Sequence, residues 1–218
     1  MTLAIRGLVV RHGKAFQLGP IDLALDDGEY LGVIGPSGSG KTTWLRALAG
    51  LARPAEGVVE LDGRVLEGPG VSLPPEARRA GMLFQSGALW PHLTAAEHVA
   101  FGLVQQGMSG AAVAQKVQTV LRRLDLLDAA GVRPDALTVD QRRRLALARA
   151  LAIEPRVLLL DEPLAHLDPV HRQALRIELA KLHRDLATTT LCATRDAADA
   201  LALSDRIAVM IEGRIAQI

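Results

Sequence analysis

Cysteine is almost absent from this chain. Its one thiol, Cys192, stands in the apolar stretch TTTLCAT, which reads as a strand. A lone cysteine excludes a disulfide framework within the chain, and a strand setting makes a buried reduced thiol the expectation rather than a nucleophile. That usage suits a reducing cytoplasm. Excess charge of one sign is missing too, since 25 basic and 24 acidic side chains leave a formal net charge of +1. No global field draws the molecule toward nucleic acid or anionic lipid, so no nucleic-acid partner is expected and partners follow from sites. Nor does any apolar run approach the ~20 residues that a membrane-crossing helix needs. The opening MTLAIRGLVVRHGK has neither the apolar region nor the cleavage site of a secretory signal. The expectation is a chain that neither spans a membrane nor is exported.

What is present suffices for one core. The 218 residues are 49% hydrophobic, as in a single compact domain. From Leu3 to Leu25 apolar residues come in short alternating groups, and GVVELDGRVL sets two β-rich pieces around Asp62 and Gly63, a strong hairpin signal. An N-terminal antiparallel β layer is expected. Between these pieces EYLGVIG runs into a glycine-rich turn and then KTTWLRALAGL, where Leu45, Leu48 and Leu51 recur at helical spacing. From about Pro91 to Ala152 β-branched runs thin out, and Val113, Val117, Val120, Leu121, Leu124 and Leu127 are spaced for one amphipathic helix. This section, about 90–152, reads as a helical insertion. After Pro155, VLLLD, TTLCAT and RIAVM alternate with helical segments, the pattern of a parallel sheet covered on both faces, and Glu212 and Gly213 mark a last hairpin.

Gly35 to Thr42, GPSGSGKT, fits G-x-x-x-x-G-K-[ST] after a predicted strand and before a predicted helix. The predicted fold class is therefore α/β, a P-loop NTPase core with a mainly parallel sheet, the antiparallel β layer and the inserted helical subdomain. Gly38 and Gly40 let backbone N–H groups close on phosphate oxygens, Ser37, Ser39 and Thr43 complete the cradle, and the helix start adds positive potential. Lys41 is expected to reach the β and γ phosphates, and the Thr42 hydroxyl to hold Mg²⁺.

Asp161 and Glu162 stand where VLLLDEP leaves its strand, the carboxyl edge at which open α/β sheets bind ligands. Asp161 suits support of Mg²⁺, and Glu162 suits a general base that polarises water for attack on the γ phosphate of ATP.

With these residues in view the chain resembles the ATP-binding subunit of ABC transporters almost from end to end. GPSGSGKTTWLRALAGL, MLFQSGALWPHLTAAEHVAFGL, RRLALARALAIEPRVLLLDEPLAHLD and SDRIAVMIEGRI are similar to consecutive blocks of that family, and PPEARRAGMLFQSGALWPHLT is similar to importer ATPases for oxyanions, metals, sugars or polyamines. The resemblance implies that Gln85 senses Mg²⁺ and the attacking water and links the nucleotide core to the helical insertion. It implies that Asp168 in LAHLD lies on a loop crossing to a second subunit, and that His12 takes the place of an aromatic residue stacked on adenine. It further implies a cytoplasmic protein, peripheral on the inner face of the membrane. Its partners would be a transmembrane permease, a second ATP-binding subunit in a homodimer or heterodimer and, indirectly, a solute-binding protein.

Two departures stand out. The family's signature, LSGGQ, clamps the γ phosphate of the opposite subunit, and here it reads Leu137, Thr138, Val139, Asp140, Gln141. Thr138 and Gln141 keep their polar groups, while Val139 and Asp140 replace glycines whose bare backbone approaches phosphate. An Asp140 carboxylate about 5 Å from a phosphate charge meets a repulsion of about 3 kcal/mol at an effective dielectric of about 20, with Mg²⁺ or Arg142 and Arg143 as candidate screens. The second departure is Thr194-Arg195-Asp196 where the family has Thr-His-Asp. Arg195 is a permanent forked donor and cannot act as a neutral acceptor, and its expected fates are the phosphate, or else solvent or a pair with Asp196 or Asp199. Two functions follow as expectations: an ATP-hydrolysing subunit driving uptake by dimer closure, slowed by its signature, or a catalytically weak regulatory subunit of a heteromeric assembly. A DNA- or ribosome-acting ATPase would ordinarily need a long coiled-coil insertion, a second ATPase domain or a basic surface, none of which is visible in this sequence.

Overall fold

A computed structural model of the chain describes residues 2–12 and 16–218, leaving aside the side chains of Thr2 and His12. Strands β1 (Thr2–His12) and β2 (Phe16–Asp26) pair antiparallel and are extended by β4 (Glu56–Leu61), β5 (Arg64–Gly68) and β6 (Val71–Ser72) into a sheet of order β2-β1-β4-β5-β6. The β4–β5 turn lies on Asp62 and Gly63, whose φ values of 56° and 76° are those of a type I′ hairpin. This is the antiparallel layer that the N-terminal alternation predicts.

A second sheet of order β11-β10-β3-β9-β8-β7 contains β3 (Tyr30–Ile34), β7 (Ala80–Leu83), β8 (Val157–Asp161), β9 (Thr189–Thr194), β10 (Arg206–Ile211) and β11 (Arg214–Gln217). Every pairing in it is parallel except β10 with β11, which Glu212 and Gly213 join as a hairpin. Strand β8 is buried along its whole length, and its alternate residues serve two cores. Val157 and Leu159 pack toward the antiparallel layer and helix α1 (Lys41–Leu48), while Leu158 and Leu160 pack with the helices on the other side. A continuous apolar run is what two covered faces require.

Between β7 and β8 lie α2 (Ala95–Gln105), α3 (Gly110–Arg123) and α4 (Val139–Ala152), with α5 (Pro169–Leu186) and α6 (Ala197–Leu203) following. Two helical expectations need correcting. The helix carrying Val113 to Leu121 stops at Arg123, because Asp125 adopts φ 53°, so Leu124 and Leu127 fall outside it and reach the core from a turn. Likewise α1 ends at Leu48, and Gly50, at φ 79°, turns the chain so that Leu51 faces outward. A side chain at Gly50 would strike Arg78 Nε at 2.6 Å. Arg78 is itself buried, donating to Glu67 Oε2 and to the carbonyls of Ala47 and Leu48, so it caps the end of α1 and ties it to β5. Among the described residues no helix is long and apolar enough to cross a membrane.

Candidate functional site

Three neighbouring parallel strands, β3, β9 and β8, deliver the site by their carboxyl ends. From β3 the chain enters the Gly35–Thr42 loop, from β8 it runs through Asp161 into Glu162, and from β9 into Arg195. Glu162 is fastened beside the end of β9 by its N–H, which donates to Ala193 O at 2.8 Å. Its φ of 51° is unusual for a side-chain-bearing residue, the kind of backbone strain that concentrates at functional sites.

The loop closes over its own lysine. Lys41 Nζ donates to Gly35 O at 2.7 Å and Pro36 O at 3.0 Å, with Ser39 Oγ at 3.5 Å. Burial lowers the ammonium's pKa, against the attraction of Glu162 and Asp161. Gly38 and Gly40 take φ values of 81° and 106°, and a side chain on Gly40 would meet Leu18 and Phe16. Helix α1 starts there, so its first N–H groups point into the loop.

Thr42 Oγ1 donates to Asp161 Oδ1 at 3.0 Å, joining the loop to the end of β8 across 119 positions of sequence. Asp161 is buried, which raises its carboxyl pKa, while the Thr42 hydrogen bond lowers it. A hydroxyl and a carboxylate side by side form a hard-oxygen pair of the kind that Mg²⁺ selects, so the donor chemistry fits that ion.

A cavity of about 500 Å³ opens over this loop, lined by Phe16, Ser37, Gly38, Gly40, Lys41, Thr42, Thr43, Gln85, Glu162 and Arg195. Asp161 stands behind Thr42, and Ser39 and Gly35 lie beneath the lysine. Arg195 Nε donates to Glu162 Oε1 at 3.0 Å, and its Nη1 reaches Ser37 Oγ at 3.5 Å. The expected alternative, a pair with Asp196 or Asp199, is not what forms: Arg172 of α5 holds both acids, each at 2.5 Å.

Three predicted residues lie away from the cavity. Thr138 and Gln141 form a reciprocal capping box at the start of α4, with Gln141 N to Thr138 Oγ1 at 3.1 Å and Thr138 N to Gln141 Oε1 at 3.0 Å. Asp168 caps α5 through the N–H groups of Val170 and His171. The candidate at His12 lies, as to its side chain, outside the described residues.

Two residues of the site have roles that the sequence alone does not assign. Phe16, at the start of β2, puts an aromatic ring on the cavity wall; its signal is the rarity of aromatics, which make up 3% of the chain. Arg143 is buried on α4, where Nη1 donates to Gln85 O at 3.0 Å and Nη2 to Ala165 O at 3.1 Å. It therefore clamps the glutamine segment to the loop after Glu162. Only adjacency in space shows this, because three stretches far apart in sequence meet there.

A family model described as "ABC transporter" matches residues 18–165. The chain is 44% identical, over all of its length and 64% of the relative's, to a sulfate/thiosulfate import ATP-binding protein of Caulobacter vibrioides. It is 46% identical, over 91% of its length and 50% of the relative's, to a spermidine/putrescine import ATP-binding protein of Thermobifida fusca. It thus spans about half to two thirds of the length of these curated relatives. Among solved structures, a dimeric post-hydrolysis state of the ATP-binding cassette MJ0796 bound to ADP and Pi superposes with a TM-score of 0.87 at 29% identity, covering 100% of this chain and 97% of that one.

Proposed function

The chain belongs to the ABC transporter family, and from that premise we propose that residues 1–218 form one ATP-binding and ATP-hydrolysing domain that powers solute uptake through a transmembrane permease. The observation that carries this reading is the convergence of Lys41, Thr42, Gln85 and Glu162 on one cavity, with Asp161 bonded to Thr42 behind it.

The roles follow from position. The Gly35–Thr43 loop offers backbone N–H groups to phosphate oxygens, and Lys41 exchanges loop carbonyls for β and γ oxygens. Thr42, Asp161 and Gln85 are the residues that would hold Mg²⁺, which supplies neutralisation of the phosphate charge. Glu162 takes a proton from the attacking water. Phe16 gives the nucleotide base an apolar face. Thr138, Gln141 and Asp168 lie outside their own chain's cavity, an arrangement suited to completing the site of a second ATP-binding subunit. In this reading the domain is cytoplasmic and peripheral, with the helices between positions 90 and 152 facing the permease.

A second reading is a slow, regulatory subunit in a heteromeric pair, and what favours it is Val139 on the signature, a residue 51% exposed. Calorimetry of MgATP binding and steady-state turnover of wild type against Glu162→Gln test the proposal. Saturable binding with turnover lost in the variant supports the motor. Binding without turnover in either protein supports the regulatory subunit, and no saturable binding refutes both.

A further inference from the structure

Glu162 and Arg195 carry an inference that rests on the nucleotide reading and deepens it. We propose that Arg195 is a partner-exchanging positioning residue: it holds Glu162 until a γ phosphate takes its guanidinium, and that exchange frees the carboxylate to act as a base.

Both residues emerge from adjacent strands, and the Glu162 N–H to Ala193 O bond fixes their spacing. Arg195 Nε donates to Glu162 Oε1 at 3.0 Å while its Nη1 stands 3.5 Å from Ser37 Oγ on the phosphate loop. The guanidinium thus spans the gap between the carboxylate and the loop that cradles phosphate, with further N–H donors uncommitted among the described residues. Solvent exposure is uneven across the pair, since the Arg195 side chain is 48% exposed and that of Glu162 only 11%. Arginine is the partner free to swing.

Its competing acceptors differ in strength. A half-exposed ion pair is weak in water. A terminal phosphate carries more charge than a carboxylate and matches the guanidinium fork in two-point geometry. Loss of the pair returns to Glu162 Oε1 the lone pair that the Nε–H occupies, which a base needs. The rest of the neighbourhood leaves Arg195 free for this exchange: Asp196 and Asp199 are held by Arg172, and Lys41 is seated on Gly35 O and Pro36 O. A nucleoside diphosphate lacks the group that draws Arg195 away, so the exchange tells ATP from ADP before any bond is broken.

The test uses the full chain with two ligands, Mg²⁺ with a non-hydrolysable ATP analogue and Mg²⁺ with ADP, read by crystallography and by calorimetry. Arg195 is expected on the γ phosphate in the first complex and on Glu162 in the second. Arg195→Gln is expected to lower the analogue-to-ADP affinity ratio about tenfold, the loss of one charged hydrogen bond, with ADP affinity unchanged, and Arg195→Lys to recover part of it. An Arg195 that stays on Glu162 in both complexes, or an affinity ratio indifferent to Arg195→Gln, overturns the exchange while leaving the nucleotide site standing. Failure of both ligands to bind overturns the nucleotide reading itself.

Discussion

Asp140 Oδ2 accepts from Arg144 Nε at 2.8 Å, one turn further along α4, and Arg144 Nη1 continues to Glu178 Oε2 of α5 at 2.5 Å. The acid that replaces a signature glycine is thus committed to its own helix face. Neither Arg142 nor Arg143, its candidate screens from sequence, touches it: Arg142 donates to Pro134 O and Leu137 O, and Arg143 to Gln85 O and Ala165 O. The i,i+4 spacing of Asp140 and Arg144 held the answer.

Asp140 therefore stabilises the fold. It lies in the first turn of α4, where a negative charge meets the positive end of the helix dipole, and its ion pair is mostly shielded from water. Asp140→Gly removes both contributions and adds glycine's backbone entropy, for an expected loss of about 1–2 kcal/mol in urea unfolding. A loss within about 0.3 kcal/mol, the scatter of ordinary surface substitutions, contradicts this role.

Arg143 is a second buried lever. Its guanidinium rests on two backbone carbonyls with no carboxylate in contact among the described residues, and burial lowers its pKa against the pull of Asp161 and Glu162. Arg143→Met keeps the bulk and leaves those carbonyls without a donor, costing about 1–3 kcal/mol of stability. Because the Gln85 and Ala165 segments lose their common anchor, turnover is expected to fall about tenfold while MgATP affinity stays within about threefold, the split of a positioning residue. An equal loss in affinity and turnover would assign Arg143 to binding instead.

The legible parts of the sequence were those with a local cause. Asp62-Gly63 and Glu212-Gly213 announce hairpins because left-handed turns need such residues, and the continuous run VLLLD announces a strand buried on both faces. GPSGSGKT announces its loop because the spacing itself is the geometry. Helix ends were less legible: Leu124 and Leu127 keep the apolar period, and only the left-handed turn at Asp125 takes them out of α3. Pairings between distant segments were hidden. Arg195 has two acids close by in sequence, Asp196 and Asp199, and its choice of Glu162 depends on β8 lying beside β9 and on Arg172 reaching those acids first.

The fold's acid limit is expected to depend on His98. Nε2 accepts from the Trp90 N–H at 2.8 Å and Nδ1 donates to Thr94 O at 2.8 Å, an arrangement only the neutral ring satisfies. Burial lowers its pKa from 6.5, and His183 is shifted the same way for the same reason. In the window below 6.5 the unfolded chain binds protons that the folded chain refuses, so stability falls as pH drops and stops falling below the folded pKa. Each histidine contributes at most about 1.4 kcal/mol per pH unit. Urea unfolding at several pH values between 5 and 7.5 should show a shallower decline in His98→Gln than in wild type. Parallel curves would remove His98 from the account.

Restoring the signature separates obstruction from absence of machinery. Val139 is exposed at the start of α4, where the side chain adds bulk to the face that Thr138 and Gln141 present, whereas Asp140 turns back to Arg144. Of the two replacements, Val139 is then the steric one and Asp140 chiefly a structural one. Val139→Gly alone, at concentrations that populate a homodimer, is expected to raise ATP turnover about tenfold, since backbone N–H groups can then close on phosphate. Asp140→Gly alone should leave turnover within about twofold while lowering stability by the ~1–2 kcal/mol argued above. If Asp140→Gly is instead the variant that accelerates turnover, the carboxylate leaves Arg144 when subunits meet, and its charge rather than the bulk of Val139 limits the reaction.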